Sequence, residues 1–196
     1  MVDKYLLVRI RERNIDSEVE IQDILDIFEI FQQIIQEQEG IKKELKEAYI
    51  NYENRYYEGF YPKGIDGILL KGRLYAKVSS FIHSTWENTP DWEVWLRIKK
   101  EGIEFGQGKP NEGKNVQDKA YHDPEIELTS TKLDFLDILL GNIEIENIFY
   151  DPNVREDYNE DPIIINQNYE NDEVLFFFAE LLIIPQLALD DLLEDK

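Results

Sequence analysis

Few side chains in this sequence could act as a general base or bind a metal ion. His83 and His122 are the two histidines, and cysteine is absent. A catalytic triad or a zinc site needs several such groups at matched spacing. Ser84 and Thr85 beside His83 are too weak a signal for a triad, and His122 has no matched ligand nearby in the sequence. We therefore predict no catalytic residue, no metal site, no cofactor and no enzymatic activity.

Two further segments have some features of ligand-binding loops. Residues 102–108 read Gly-Ile-Glu-Phe-Gly-Gln-Gly, but the lysine of a phosphate-binding loop is missing and no helix is expected to follow. Residues 151–157 are rich in oxygen ligands but lack the glycine and the terminal glutamate of a calcium loop. We interpret the first segment as the end of a hairpin and the second as an acidic surface loop.

The charge balance of the chain argues against several partners. It carries 42 acidic and 21 basic residues, a net charge of −21. Such a surface repels nucleic-acid phosphates and anionic lipid, so we predict no nucleic-acid partner. The longest apolar stretches fall short of the ~20 residues that span a bilayer, so no integral membrane protein is expected. The absence of cysteine and of a signal-peptide pattern at the N-terminus leads us to expect a soluble, cytoplasmic protein.

The N-terminal third of the chain carries two apolar stripes at helical spacing. The first covers residues 24–35 and the second residues 41–56, and Gly40 separates them. Asp16 or Ser17 is the expected N-cap of the first helix. Both a pair of packed helices and one long bent helix fit this pattern.

Alternating apolar and polar side chains predict the strands. The clearest strand covers residues 92–98, and residues 100–102 predict a tight turn into a returning strand. Residues 59–67, with three glycines and a proline, predict a loop. The predicted strands are residues 5–10, 74–82, 92–98, 103–105, 125–128 and 162–165.

Helices are predicted between and after the last strands. Thr131 is the expected N-cap of a helix over residues 133–140, and Gly141 is the expected stop. A short helix over residues 142–150 follows. Asp172 is the expected N-cap of the last helix, which Pro185 is predicted to kink or end. Residues 187–193 are predicted to extend it as an acidic amphipathic tail.

Three segments of the second half resemble the sterol carrier protein 2 domain family. Residues 92–103 resemble its central hairpin, residues 123–131 its strand leading into a capped helix, and residues 133–143 its passage of helix, glycine and second helix. The resemblance covers roughly residues 74–184. It implies an α+β fold with a mixed sheet of about five strands, helices packed on one side, and an apolar tunnel between them.

The resemblance also implies a domain organisation and a function. Residues 1–196 would form a single domain, with 1–60 as an N-terminal strand and helical elaboration and 186–196 as an acidic C-terminal tail. The function would be non-catalytic binding of a fatty acyl, sterol or isoprenoid chain in the tunnel. The expected tunnel walls are Trp92, Val94, Leu96, Leu136, Leu139, Leu140, Ile148, Phe149, Phe176, Phe177 and Phe178.

A second hypothesis is a non-enzymatic interaction subunit of a larger assembly. In that case the core is filled, and the N-terminal helices or residues 187–193 dock a protein partner. Three consecutive phenylalanines at 176–178 cannot all face one core in a helix, which fits either hypothesis. The lipid hypothesis requires an internal apolar cavity, whereas the interaction hypothesis requires a well-filled core and an exposed apolar patch.

Overall fold

A computed structural model defines the architecture of the chain. It describes Tyr5, Val8 and residues 18–55, 67–76, 89–109, 125–150, 163–167 and 173–194. The protein is an α+β protein with a five-stranded mixed sheet. Apart from the helical Tyr5 and Val8, the helices of the described residues are α1 (Ile21–Glu37), α2 (Glu39–Arg55), α3 (Lys132–Leu139), α4 (Ile145–Tyr150) and α5 (Glu173–Glu194). Its strands are β1 (Gly67–Tyr75), β2 (Trp92–Lys99), β3 (Gly102–Gln107), β4 (Glu125–Thr131) and β5 (Ile164–Gln167).

The sheet is built around β1. Its strand order is β3-β2-β1-β4-β5. β1 pairs antiparallel with β2 and parallel with β4, while β2–β3 and β4–β5 are antiparallel. A parallel pair requires a crossover connection. The two neighbours of β1 therefore come from separate parts of the sequence.

One face of the sheet is apolar and carries the helices. Pleating places alternate residues on this face, and those of the central strands are buried. Phe28 of α1 contacts Phe105 of β3 and Phe135 of α3, at ring-centroid separations of 5.8 and 6.3 Å. The apolar residues on this face are Ile68, Leu70, Leu74, Val94, Leu96, Ile98, Ile103, Ile126 and Leu128.

The N-terminal stripes form two helices. The predicted stripe of α1 is buried, from Ile24 to Ile35. Gln38, with extended backbone, separates the helices, and Gly40 lies inside α2. The two-helix alternative is therefore correct, but the break is not at the glycine. The helix begins at Ile21 behind a capping box between Glu20 and Asp23, later than the predicted cap.

The β2–β3 hairpin and the α3 region follow the predictions closely. The side chain of Thr131 accepts a hydrogen bond from the backbone N–H of Asp134 at 3.1 Å and so caps α3. Gly141 has φ of +77° and ends that helix. The short fourth helix is present but begins three residues later than predicted, and the fifth strand is displaced by two residues.

Two strand predictions are wrong. Tyr5 and Val8, in the predicted strand 5–10, are helical. The strand predicted at 74–82 instead covers Gly67–Tyr75, and Ala76 already lies outside it. The physical reason is burial. A central strand with both edges paired carries the near-continuous apolar run 68–70, not the alternating run after Leu74. Residues 77–82 lie outside the described residues.

Of the two alternatives for Pro185, the one in which it ends the last helix is wrong. α5 continues through this residue to Glu194, and residues 187–193 extend the helix as predicted. Most of α5 before and after the proline is buried, which stabilises the helix despite the missing N–H. α5 packs against α1, α2 and α4.

Candidate functional site

The predicted tunnel residues lie between the sheet and the helices. Val94, Leu96, Leu136, Leu139, Ile148, Phe177 and Phe178 are buried in one continuous core, and Trp92, Leu140 and Phe149 pack against it at partial exposure. Phe176 contacts Phe149 edge-on, with ring centroids 6.1 Å apart. Trp92 lies at the start of β2 beneath Lys132, whose Nζ is 4.1 Å from the ring centroid.

Aromatic rings fill the space above the centre of the sheet. A Cβ atom placed on Gly72 would lie 2.8 Å from the ring of Phe135 and 2.8 Å from Cγ2 of Val94. The ring therefore rests directly on the β1 backbone. Since Phe135 also meets Phe28, helices α1 and α3 and strand β1 are in direct contact at this point.

A second aromatic group joins the N-terminal helices to α5. Phe177 stacks on Tyr52 with ring centroids 3.9 Å apart and meets Tyr49 edge-on at 5.2 Å. The hydroxyl of Tyr49 donates to the carbonyl oxygen of Ile98 in β2. Phe177 is one of the three phenylalanines expected to line the tunnel. In the structure, rings of α2 contact it, so protein side chains occupy the space beside it.

An open groove begins where α3 ends. The backbone N–H of Gly141 donates to Ile138 at 3.2 Å, and that of Asn142 donates to Asp137 at 2.8 Å. These bonds, with the left-handed backbone of Gly141, form a Schellman motif that turns the chain towards α4. Ile143 follows the turn and faces α5 across the groove.

Gln186 holds α5 against this turn. Its Nε2 donates to the carbonyl oxygens of Ile138 at 2.8 Å and of Leu139 at 3.1 Å. The last carbonyls of a helix lack partners within the helix, so a side-chain donor from α5 satisfies them. The preceding residue, Pro185, cannot donate a helical hydrogen bond of its own. The bonds from Gln186 fix the crossing of the two helices and hence the width of the groove.

The groove has a volume of about 380 Å³, and its walls combine apolar side chains with polar ones. Its α5 wall exposes Ile183 and Leu187, which are 49% and 57% accessible and lie one helical turn apart. Leu140 is a member of the predicted tunnel set that also lines it. The other apolar lining residues are Ile138, Ile143, Ile145, Ala179 and Leu182.

The groove is rimmed by carboxylates. Glu180 and Asp190 lie on α5, and Glu144 and Glu146 lie on the α3–α4 connection and α4. Among the described residues that line it, none is lysine, arginine or histidine. The described residues that line the groove therefore carry negative charge, in keeping with the net charge of −21.

The opposite face of the sheet carries a network of ion pairs. Lys71 lies 2.6 Å from Glu125, and Lys99 lies 2.6 Å from Glu104. Arg73–Glu127 and Arg97–Glu104 form longer pairs at 3.5 and 3.6 Å. Carboxylates thus accompany the basic side chains of this face. The predicted lack of nucleic-acid binding stays a prediction.

Tyr75 ends β1 on this charged face. Burial raises the pKa of its hydroxyl, and the nearby Arg73 guanidinium partly offsets that rise. The Arg73 side chain also donates to the Tyr75 oxygen at 3.3 Å. Nothing in this arrangement resembles an activated nucleophile, whose pKa would be depressed.

The other candidate chemistry lies mostly beyond the described part of the chain. His83, His122 and residues 151–157 lie outside the described residues. Within the described ranges, no three His, Cys, Asp or Glu side chains are grouped to hold a metal ion. Nor does any helix in those ranges have the length and apolar character needed to cross a membrane.

Comparisons with protein-family models, with curated proteins and with solved structures found no match to this chain. The resemblance to the sterol carrier protein 2 family therefore stays an expectation from sequence.

Sequence reasoning did not single out Ile183 and Leu187 as a pair. Within the apolar run 181–184, the structure buries Leu181, Leu182 and Ile184 and exposes Ile183. The sequence nevertheless contains a signal for the exposure of this pair. Glu180, Ile183, Leu187 and Asp190 fall on one helical stripe, which is set off from the buried positions by its acidic ends.

Proposed function

We propose that this chain is a non-catalytic binding protein and that it docks a segment of a protein partner in the groove between α5 and the α3–α4 connection. The observation that carries this proposal is the exposure of Ile183 and Leu187 on the wall of an apolar groove. Large apolar side chains grouped at a concave surface are typical of binding sites. Packing of α1, α2 and α3 rings against the sheet and α5 supports the same function, because it fills space that a tunnel would need.

Ile183 and Leu187 leave apolar surface in contact with water. Fully burying a leucine or isoleucine side chain is worth about 1.5–3 kcal/mol. Because Ile183 and Leu187 are about half exposed, a partner that covers either one gains about half of that energy, or about four- to tenfold in affinity. The same covering would leave the carboxylates at the solvent-accessible rim, where polar groups of an interface belong.

The test uses a photo-crosslinking amino acid at position 187 in cells, with position 133 as the matched control. Leu133 is an exposed leucine on α3, 46% accessible, and is absent from the groove lining. We expect a protein that crosslinks at 187 and not at 133. After its identification by mass spectrometry, the purified partner should bind the wild-type chain and Leu133→Glu alike.

The same partner should bind Leu187→Glu at least about tenfold more weakly, because a charge replaces an apolar side chain that the partner would cover. Circular dichroism should show both variants folded, since both positions are exposed. Equal crosslinking at the two positions, or equal affinity of the two variants, would contradict docking at this groove.

Binding of an apolar chain is a second candidate function. We propose it because residues of β2, α3, α4 and α5 that the family resemblance assigns to a tunnel lie in or against one apolar core. A fatty acyl, sterol or isoprenoid chain would be held by burial, at about 0.8 kcal/mol per CH₂. Its entrance would be the partly exposed Leu140, the side chain that this core shares with the groove.

The test of this second candidate is a fluorescent fatty acid with wild-type protein and Leu140→Trp. We expect the wild type to bind and the variant to lose binding while remaining folded, at an overpacking cost of about 1–3 kcal/mol. Native mass spectrometry after gentle purification should then show a co-purifying lipid. Equal binding by both forms would exclude the tunnel assignment, and no binding by either would leave docking as the function.

A further inference from the structure

The exposed stripe of α5 has a defined order of side chains. Glu180, Ile183, Leu187 and Asp190 follow one another at spacings of three, four and three residues. Such spacing places side chains on one line along a helix, as at the seam of a coiled coil. The stripe is therefore apolar at its centre and acidic at both ends, and Glu194 extends the acidic end by one more turn.

The opposite wall repeats the same chemistry. Ile143 and Ile145 alternate with Glu144 and Glu146 in the sequence that leads into α4. An occupant thus meets apolar surface at the floor of the groove and negative charge on both sides.

From this arrangement, and resting on the docking function proposed above, we propose that the occupant is a positively charged amphipathic α-helix of another protein. Two apolar residues one turn apart would pack on Ile183 and Leu187. Lysine or arginine side chains beyond them would meet Glu180 at one end and Asp190 at the other. These two α5 residues are separated by about 15 Å along the helix axis, so the docked segment needs about three helical turns.

Backbone geometry favours a helix over an extended segment. A docked strand gains its affinity from free main-chain groups at a sheet edge. The walls of this groove are helices and a capped turn, and the Gln186 side chain already occupies the carbonyls of Ile138 and Leu139. A helix instead satisfies its own backbone and presents side chains at the same three- and four-residue spacing as α5.

The experiment uses synthetic helical peptides of about 14 residues, long enough for three to four turns. One carries two leucines four residues apart with lysines on both sides. The second has the same leucines with glutamates in place of the lysines. The third contains the residues of the first in an order that breaks the leucine spacing. Binding is measured by fluorescence anisotropy, and the contact surface by amide chemical-shift changes on the labelled protein.

We expect the lysine peptide to bind at least about tenfold more tightly than either other peptide, and to weaken as salt screens the rim charges. A chain of charge −21 attracts any cationic peptide. The location of the amide chemical-shift changes therefore decides whether the peptide binds in the groove. They should centre on residues 183–190 and 138–146. Leu187→Ala should weaken binding several-fold, whereas Leu133→Ala should leave it unchanged. The pair Glu180→Lys and Asp190→Lys should reverse the preference towards the glutamate peptide.

Shifts spread evenly over the surface, or equal binding of the first and third peptides, would overturn the proposal. So would a crosslinked partner that reaches position 187 through a neutral, acidic or non-helical segment, although docking at the groove would then stand. Absence of a partner at position 187 would instead remove the docking function itself.

Discussion

The ring of Phe135 on α3 lies directly on the backbone of Gly72 in β1. A Cβ atom at position 72 would come within 2.8 Å of the ring, closer than van der Waals contact permits. The glycine is thus required by packing, not by a turn. This contact fixes how closely α3 approaches the centre of the sheet.

Gly72→Ala should therefore destabilise the protein. We expect a loss of about 1–3 kcal/mol in the free energy of unfolding, because the ring or the strand must shift. Gly40→Ala is the control, since a Cβ there meets nothing within 4 Å and alanine favours α2 by about 0.5–1 kcal/mol. Urea denaturation measures both changes. A neutral Gly72→Ala would show that Phe135 is not held against β1.

The two hydrogen bonds from Gln186 to the end of α3 give a second prediction. Gln186→Ala should cost about 1–3 kcal/mol, because the carbonyls of Ile138 and Leu139 lose this side-chain donor, while Ile138 keeps the N–H of Gly141. Gln186→Glu should cost more, since a carboxylate would face the same carbonyl oxygens. Gln33→Ala, which removes a bond to Glu29 on the surface of α1, should stay within about 0.5 kcal/mol of wild type. Equal effects of Gln186→Ala and Gln33→Ala would mean that the two bonds from Gln186 do not stabilise the protein.

The consecutive phenylalanines of α5 should differ in their contribution to stability. Phe177→Ala should lower the free energy of unfolding by about 3–5 kcal/mol, because the ring is buried and stacks on Tyr52. Phe176→Ala should cost about 1–2 kcal/mol, since that ring is partly exposed. Thermal denaturation of the two variants compares them directly. A larger loss of stability in Phe176→Ala than in Phe177→Ala would mean that Phe176, and not Phe177, lies in the core.

Tyr75 should make the protein less stable at alkaline pH. Burial raises the pKa of its hydroxyl above the ordinary 10.0, so the folded state holds this proton more tightly than the unfolded state. Its stabilising effect is complete below about pH 10 and is lost as the pH rises through the folded-state pKa.

The measurement for Tyr75 is the difference in alkaline stability between wild type and Tyr75→Phe, together with tyrosinate absorbance. The phenylalanine variant should show a shallower loss of stability above pH 10, because it has no proton to lose there. Identical profiles would mean that the Tyr75 hydroxyl is not shielded from water.

The secondary structure was predictable wherever burial imposes a period on the sequence. The stripe of α1, the alternation of β2 and the Thr131 cap each depend on local chemistry. β1 was misplaced because its burial comes from strands β2 and β4, which lie elsewhere in the sequence. Lys71, Gly72 and Arg73 also interrupt its apolar run, although the first and last pair with carboxylates of β4.

The sequence did not locate the groove, for a similar reason. Whether Ile183 or its neighbour Ile184 is buried depends on the rotation of α5 about its axis, which contacts with α1, α2 and α4 determine. The acidic ends of the α5 stripe mark its exposed side, but they do not show which elements face it. The tunnel assigned by resemblance remains a proposal, while the residues named for its walls lie in or beside one apolar core.

The position of β1 at the centre of the sheet affects how the chain can fold during synthesis. Lys71 and its partner Glu125 are 54 residues apart, so β1 gains its second neighbour only after β4 has left the ribosome. The apolar side of α1 is completely covered later still, because part of it packs against α5, which is synthesised last among the described elements. Such long-range pairing slows folding and leaves apolar surface open in the nascent chain. Chaperone dependence in the cell should therefore be set by the delay between synthesis of α1 and synthesis of α5.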